Sequence, residues 1–184
     1  MARIAYFDLR DASAPLKALV STRPPLNIYR IAAHAGPAAE GMLALGSALL
    51  RDNELDDCWR ELAIVRTGIL CGSDYEVHQH KRLAARVGVS EAKIQALHDG
   101  PEAAVFDADE ALVLRFTDQV VLRGKAGDSL FYALHDRLSP RALVELQLTI
   151  GYYMLVSRLL ENFEVDLEDN EPSMDSFPPA RPSN

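Results

Sequence analysis

Ten residues, Cys71-Gly72-Ser73-Asp74-Tyr75-Glu76-Val77-His78-Gln79-His80, place a thiol, two imidazoles, two carboxylates, a phenol and a hydroxyl side by side. Glu76 and His80 stand four apart, the spacing at which side chains meet on one helix face. On a helix, Ser73, Glu76, His80, Leu83, Ala84 and Val87 share a face, while His78, Lys81, Arg82 and Arg86 lie opposite. The apolar members of the first set predict that it points inward, with Glu76 and His80, and that His78 faces water. Partial burial raises a carboxyl pKa and lowers an imidazole pKa, while mutual attraction opposes both shifts. Such a pair is poised for proton transfer near neutrality. The same residues also have a purely structural reading. Ser73-x-x-Glu76 has the form of a capping box, and His80 could be a hydrogen-bonded core residue.

Metal chemistry fits poorly. His78 and His80 point about 200° apart on a helix, and Glu76 with His80 makes only two ligands, so no metal site is expected. Cys58 and Cys71 form no disulfide framework. On one continuous helix they would stand roughly 20 Å apart, beyond bridging distance. Walker, G-x-G-x-x-G and G-x-S-x-G patterns are absent, and Arg123-Gly-Lys-Ala-Gly-Asp128 lacks phosphate-loop spacing. No cofactor is implied.

These residues need helices to hold them. Apolar periodicity predicts helices over 28–34, 38–52, 56–72, 73–88, 90–100, 107–124, 128–138 and 140–163. Pro24-Pro25 marks a turn, Gly88, Gly100 and Gly124 read as C-terminal stops, and Ser139-Pro140 opens the last helix. No segment alternates long enough for a strand, so the predicted class is all-α. Glu61-Leu-Ala-Ile-Val-Arg-Thr-Gly68 and Glu145-Leu-Gln-Leu-Thr-Ile-Gly151 share a faint pattern, which hints at two similar helical hairpins. Residues 1–26 read as an N-terminal extension, 27–165 as the helical domain and 166–184 as an acidic tail rich in Pro and Ser. That tail is poor in the residues that build a core.

With 184 residues, 48% hydrophobic and 25% charged, the chain is large enough for a real core and most simply forms one domain. A formal net charge of −8 argues against a nucleic-acid partner. No stretch reads as a membrane span and the start lacks a signal-peptide apolar region, so no membrane partner and a cytoplasmic location are expected.

Arg60 to Leu97, with weaker echoes at Asn27–Gly36 and Glu145–Phe163, resembles the carboxymuconolactone decarboxylase family, whose superfamily includes the AhpD-type alkylhydroperoxidases. The peroxidase branch carries Glu, eleven residues, then Cys-x-x-Cys-x-x-x-His. By that register Glu61 and His80 match the proton-relay pair, with Ser73 and Glu76 where the two cysteines would be. The resemblance implies an AhpD-like helical domain that oligomerises as a bundle with copies of itself, as a trimer or hexamer, and takes a small-molecule substrate.

Dithiol peroxidase activity needs one thiolate to attack and a second thiol to resolve, which Ser73 and Glu76 cannot supply. Cys71 remains as a lone redox candidate. Decarboxylation of a small carboxylated or lactone-type compound needs no thiol. His80 would carry the proton, with Glu76 as partner, Glu61 orienting and Ser73 hydrogen-bonding, while Tyr75 and Arg66 are the nearest substrate-binding candidates. The alternatives are an alkylhydroperoxidase-type antioxidant and a non-catalytic ligand-binding oligomer. Tyr152 and Tyr153 are expected to pack in the core.

Overall fold

The computed structural model describes residues 1–177. Among them the chain is helical without strands, as the periodicity predicts. The helices are α1 (Ala14–Val20), α2 (Asn27–Ala32), α3 (Pro37–Arg51), α4 (Asp57–Cys71), α5 (Asp74–Arg86), α6 (Glu91–Ala96), α7 (Ala108–Arg123), α8 (Asp128–His135) and α9 (Pro140–Phe163).

Local chemistry explains most boundaries. Asp56 accepts from the backbone N–H groups of Cys58 and Trp59 to open α4, and Ser90 does the same for Lys93 in α6. Ser139 accepts from Ala142 N–H at the start of α9. A complete capping box opens α7, where Asp107 and Glu110 bond each other's backbone reciprocally. Gly72 and Gly124 end α4 and α7 in the left-handed conformation, which glycine adopts without a Cβ penalty. The sequence reading missed α1. Ser13 caps it through Leu16 N–H, and Pro15 lies in its first turn, where proline is tolerated.

The chain forms two compact units, one of Met1–Asp52 with 159–177 and the other Asn53–Arg158. In the first unit, Leu16, Ala32, Ala39 and Leu43 form the core, with Tyr29 and Leu159 packed on it. The tail belongs here. Asp166 receives hydrogen bonds from Tyr6 and Ala2 N–H, Glu168 accepts from Asn27 N–H, and Phe177 is buried. Those bonds tie the described part of the tail to its own chain. Residues 178–184 of the tail lie outside the described residues.

The second unit is built around α4, which packs chiefly on α5 and α7. Leu62, Ala63, Ile64 and Val65 are fully buried on successive faces, the mark of a helix enclosed on all sides. Leu55, Val113, Phe116, Leu134, Leu146 and Ile150 make one core, and Leu62, Val65, Ala84, Ile94, Leu97 and Leu114 make a second. Each fully buried leucine or isoleucine contributes roughly 1.5–3 kcal/mol relative to exposure.

One expectation needs correction. α9 is 24 residues long and contains an 18-residue window with a mean hydropathy of 1.2, long and apolar enough to cross a bilayer by length and composition. Its apolarity has a local cause: Leu143, Leu146, Ile150, Tyr153 and Val156 are buried against the second unit's core. A helix lining a core passes the same test as a membrane span.

Candidate functional site

The second unit holds a line of buried charges. α4 supplies Arg60 and Glu61, α5 supplies Glu76 and His80, and α9 supplies Tyr153. Glu61 is 1% exposed, Glu76 5% and His80 6%. The α4–α5 turn makes the meeting possible. Ser73 N–H bonds back to Gly68 O, and a Cβ at Gly68 would lie 3.1 Å from Val77 Cγ2 and 3.3 Å from Glu76 Cβ. A methyl group here would be in tighter than ordinary contact, and Val77 and Glu76 would have to give by a few tenths of an ångström.

His80 Nδ1 lies 2.7 Å from Glu61 Oε2. An ionised carboxylate only accepts, so Nδ1 carries the hydrogen. The other face of the ring meets the second carboxyl, with Nε2 3.5 Å from Glu76 Oε2. That separation is within ion-pair range, yet Glu76 Oε2 is buried without a hydrogen bond. Tyr153 packs against the imidazole in a T-shaped arrangement, ring centroids 4.7 Å apart. On the far side of Glu61, Arg60 Nε and Nη2 donate to Oε1 at 3.1 and 3.0 Å, and Arg60 Nη1 also bonds Asp57.

The charge states follow from these contacts. Burial alone pushes Glu61 up, but the charges of His80 and Arg60 and their hydrogen bonds outweigh it and hold the carboxyl below its ordinary value. Burial likewise works against a charged His80, and Glu61 then Glu76 reverse it, so the imidazole is raised. Glu76 has no such support. Burial dominates, His80 only partly offsets it, Glu61 adds repulsion, and the carboxyl is pushed up to about 7. Burial and the neighbouring Glu76 and Glu61 keep the Tyr153 phenol neutral, its pKa raised well above the ordinary value. At neutral pH the row therefore holds a charged Arg60, an anionic Glu61 and a Glu76 balanced between acid and anion, with His80 shifted toward its protonated form.

The sequence-derived residues divide. Glu61, Glu76 and His80 come together as expected, and Ser73 and Tyr75 are buried at the same end of α5. The capping box at Ser73 does not form. The Ser73 side chain makes no cap, and its Oγ is buried without a hydrogen bond. Helix phasing explains why, since it turns Ser73 inward with Glu76 and His80. His78 is half-buried rather than exposed, and Gln79 is buried. Arg66 is committed elsewhere: it pairs with Asp118 at 2.7 and 2.9 Å and donates to Leu97 O at 2.7 Å. Cys58 and Cys71 both lie on α4. Burial raises both thiols, and the Arg158 charge only partly opposes this at Cys71. Among the described residues, no group of three or more His, Cys, Asp or Glu is arranged to hold a metal ion.

Arg60 was not picked out from the sequence, and Tyr153 was expected only as a core residue, which its burial bears out. Tyr153 gave no local signal, because its partner lies on another helix. Arg60 directly precedes the matched Glu61, and a buried acid needs a counter-charge, so that adjacency was the available clue.

Residues 36–119 match the Carboxymuconolactone decarboxylase family. A search of the curated proteins returned no match. Among solved structures, the alkylhydroperoxidase AhpD core of an uncharacterised peroxidase-related protein from Ralstonia eutropha JMP134 superposes with a TM-score of 0.79 at 16% identity, covering 91% of this chain and 93% of that one. The Agrobacterium tumefaciens protein ATU0492, of unknown function and linked by name to AhpD antioxidant defence, gives 0.69 at 23% identity, covering 75% and 96%. The debrominase Bmp8 in complex with 2,3,4-tribromopyrrole gives 0.72 at 15% identity, covering 92% and 95%. At these identities the likeness is one of fold. The chain thus carries the AhpD-like helical fold and, over residues 36–119, resembles the carboxymuconolactone decarboxylase family.

Proposed function

We propose that the protein is an acid–base enzyme that decarboxylates a small carboxylated or lactone-type compound without a cofactor. One observation carries the reading: a buried imidazole held between two carboxyl groups, bonded to one and facing the other without a hydrogen bond. In the reaction, the bond from the substrate to its carboxyl carbon breaks and CO₂ leaves. The electron pair stays on the substrate carbon and spreads onto an adjacent carbonyl oxygen. His80 Nε2–H then protonates the carbon, and solvent or Glu76 restores the proton. Glu61 keeps Nδ1 as the fixed end of the ring, and in this reading the Ser73 hydroxyl, buried without a hydrogen bond, donates to the developing oxyanion.

Peroxide reduction gains no support from the thiols, since burial disfavours the thiolate at Cys71 and positions 73 and 76 hold Ser and Glu. Self-association, as a trimer or hexamer, is part of the proposal. It is supported by an exposed apolar stripe on α9 made by Val144, Leu148 and Leu155.

The test is turnover of a panel of carboxylated lactones, followed by CO₂ release. Wild type should turn over at least one, and His80→Gln should lose about 10²-fold or more in kcat. Equal rates in a folded variant would remove His80 from the mechanism.

A further inference from the structure

Ser73 Oγ, Glu76 Oε2 and Ser157 Oγ are buried in the second unit without a hydrogen bond. Ser73 is 1% exposed, Ser157 0% and Glu76 5%. Folded proteins seldom leave such atoms unpaired, because each gave up water on burial. Ser73 is the N-cap residue of α5 and Glu76 lies in its first turn, while Ser157 comes from α9. The packing brings all of them to one place. Tyr153 rests on the His80 ring. From that contact α9 advances about 6 Å to Ser157, and α5 runs back about 6 Å from His80 to Glu76, at 1.5 Å per residue. Both paths lead to the α4–α5 turn. Arg158 Nη1 donates to Cys71 O at 3.2 Å, and the Ser157 hydroxyl approaches the Cys71 thiol without completing a hydrogen bond. Ser157 therefore stands level with Glu76, beside the turn that carries Ser73. Thr149 is also buried unbonded on α9, but it lies beyond Tyr153, about 12 Å along the helix from Ser157.

Two hydroxyls and one carboxyl oxygen are the partners that a single small oxygen needs, and a buried water makes about three hydrogen bonds. Each hydroxyl can donate or accept, and Glu76 accepts as the anion and donates as the acid. We propose that Ser73, Glu76 and Ser157 enclose a binding site for one oxygen atom, held by a water molecule in the resting protein and by a carbonyl oxygen of the substrate during reaction. The water half stands on the packing alone, and the substrate half rests on the decarboxylase reading above. In that reaction Ser157 becomes a second catalytic hydroxyl. As CO₂ leaves, the electron pair settles on the bound oxygen, and Ser73 and Ser157 each turn an O–H toward it. Neither hydroxyl has a protein partner to give up first.

The site is tested without substrate, by urea unfolding of the full-length protein. Ser73→Ala and Ser157→Ala each remove one partner of the water. Ser73 makes no side-chain cap bond, so its change costs no cap. Each variant should be less stable than wild type. The double variant should lose less than the sum, because either change releases the same water. Thr149→Val, beyond Tyr153, should add fully to either one. A single variant as stable as wild type or more so is the outcome for a hydroxyl with nothing to bond, and it overturns the site, as does an additive double variant. A high-resolution crystal structure should show one water within hydrogen-bond distance of the three atoms, and a dry site overturns the proposal equally. Kinetics read the substrate half. On a lactone that wild type decarboxylates, Ser157→Ala should lower kcat by about 10²-fold with KM little changed, and an unchanged kcat overturns that half. If His80→Gln leaves turnover intact, the decarboxylase reading fails, while the unfolding cycle still decides the oxygen site.

Discussion

Glu61 and His80 are nineteen residues apart in sequence and 2.7 Å apart in space, joined through one buried hydrogen bond between neighbouring helices. A carboxylate this deep is stable only because a cation stands on each of its oxygens. Removing it therefore disturbs two positive charges together.

Glu61→Gln should be destabilised by about 3–5 kcal/mol, the usual cost of breaking a buried ion pair. The wild-type pair gives its full stability between the ordinary glutamate value of 4.5 and the ordinary histidine value of 6.5. That contribution fades as pH falls through the lowered Glu61 value and as pH rises through the raised His80 value. The gap between variant and wild type in urea unfolding should accordingly be widest at about pH 5–6. The His80 titration followed by NMR should shift downward in the variant. A gap independent of pH would show that the two groups are not coupled.

Glu76→Gln should have the opposite sign. The folded-state carboxyl is raised from 4.5 to about 7, so the native protein holds this proton more tightly than the unfolded chain. Wild type loses stability as pH rises across that interval and levels off above it. The glutamine cannot ionise and escapes the loss. The variant should therefore gain on wild type with rising pH, by up to about 3 kcal/mol above neutrality. Parallel stability profiles from pH 4 to 9 would contradict an ionising Glu76.

Thiol chemistry gives a third expectation. Burial raises Cys71 and Cys58, and both stand on α4. In the native protein both should react with a maleimide far more slowly than in denaturant, by about 10²-fold or more at Cys71. A sulfenic acid at Cys71, trapped by dimedone and read by mass spectrometry after brief peroxide exposure, would restore the redox reading.

What could be read in advance followed the range of the interactions. Helical periodicity and caps are local, so eight of the nine helices among the described residues were expected within a few residues, and α1 was lost to a proline-rich opening. The face shared by Glu76 and His80 is likewise a property of one helix. The pairing of Glu61 with His80 came from resemblance, because no periodicity links α4 to α5. Ser73 looked like a cap because its spacing to Glu76 is right, but burial turned the hydroxyl away from the backbone. Arg66 looked available until Asp118, 52 positions away, claimed it.

Gly68 sets a dimension that no polar residue of the site controls. A Cβ at this position would lie within 3.1–3.4 Å of Val77 and Glu76 on α5, tighter than ordinary contact. A methyl group there would act as a shim, and Glu76 and His80 ride on the helix it would push. The length of the proton path is thus held by a residue that takes no part in it, and alanine at this position is a gauge for how much slack the reaction tolerates.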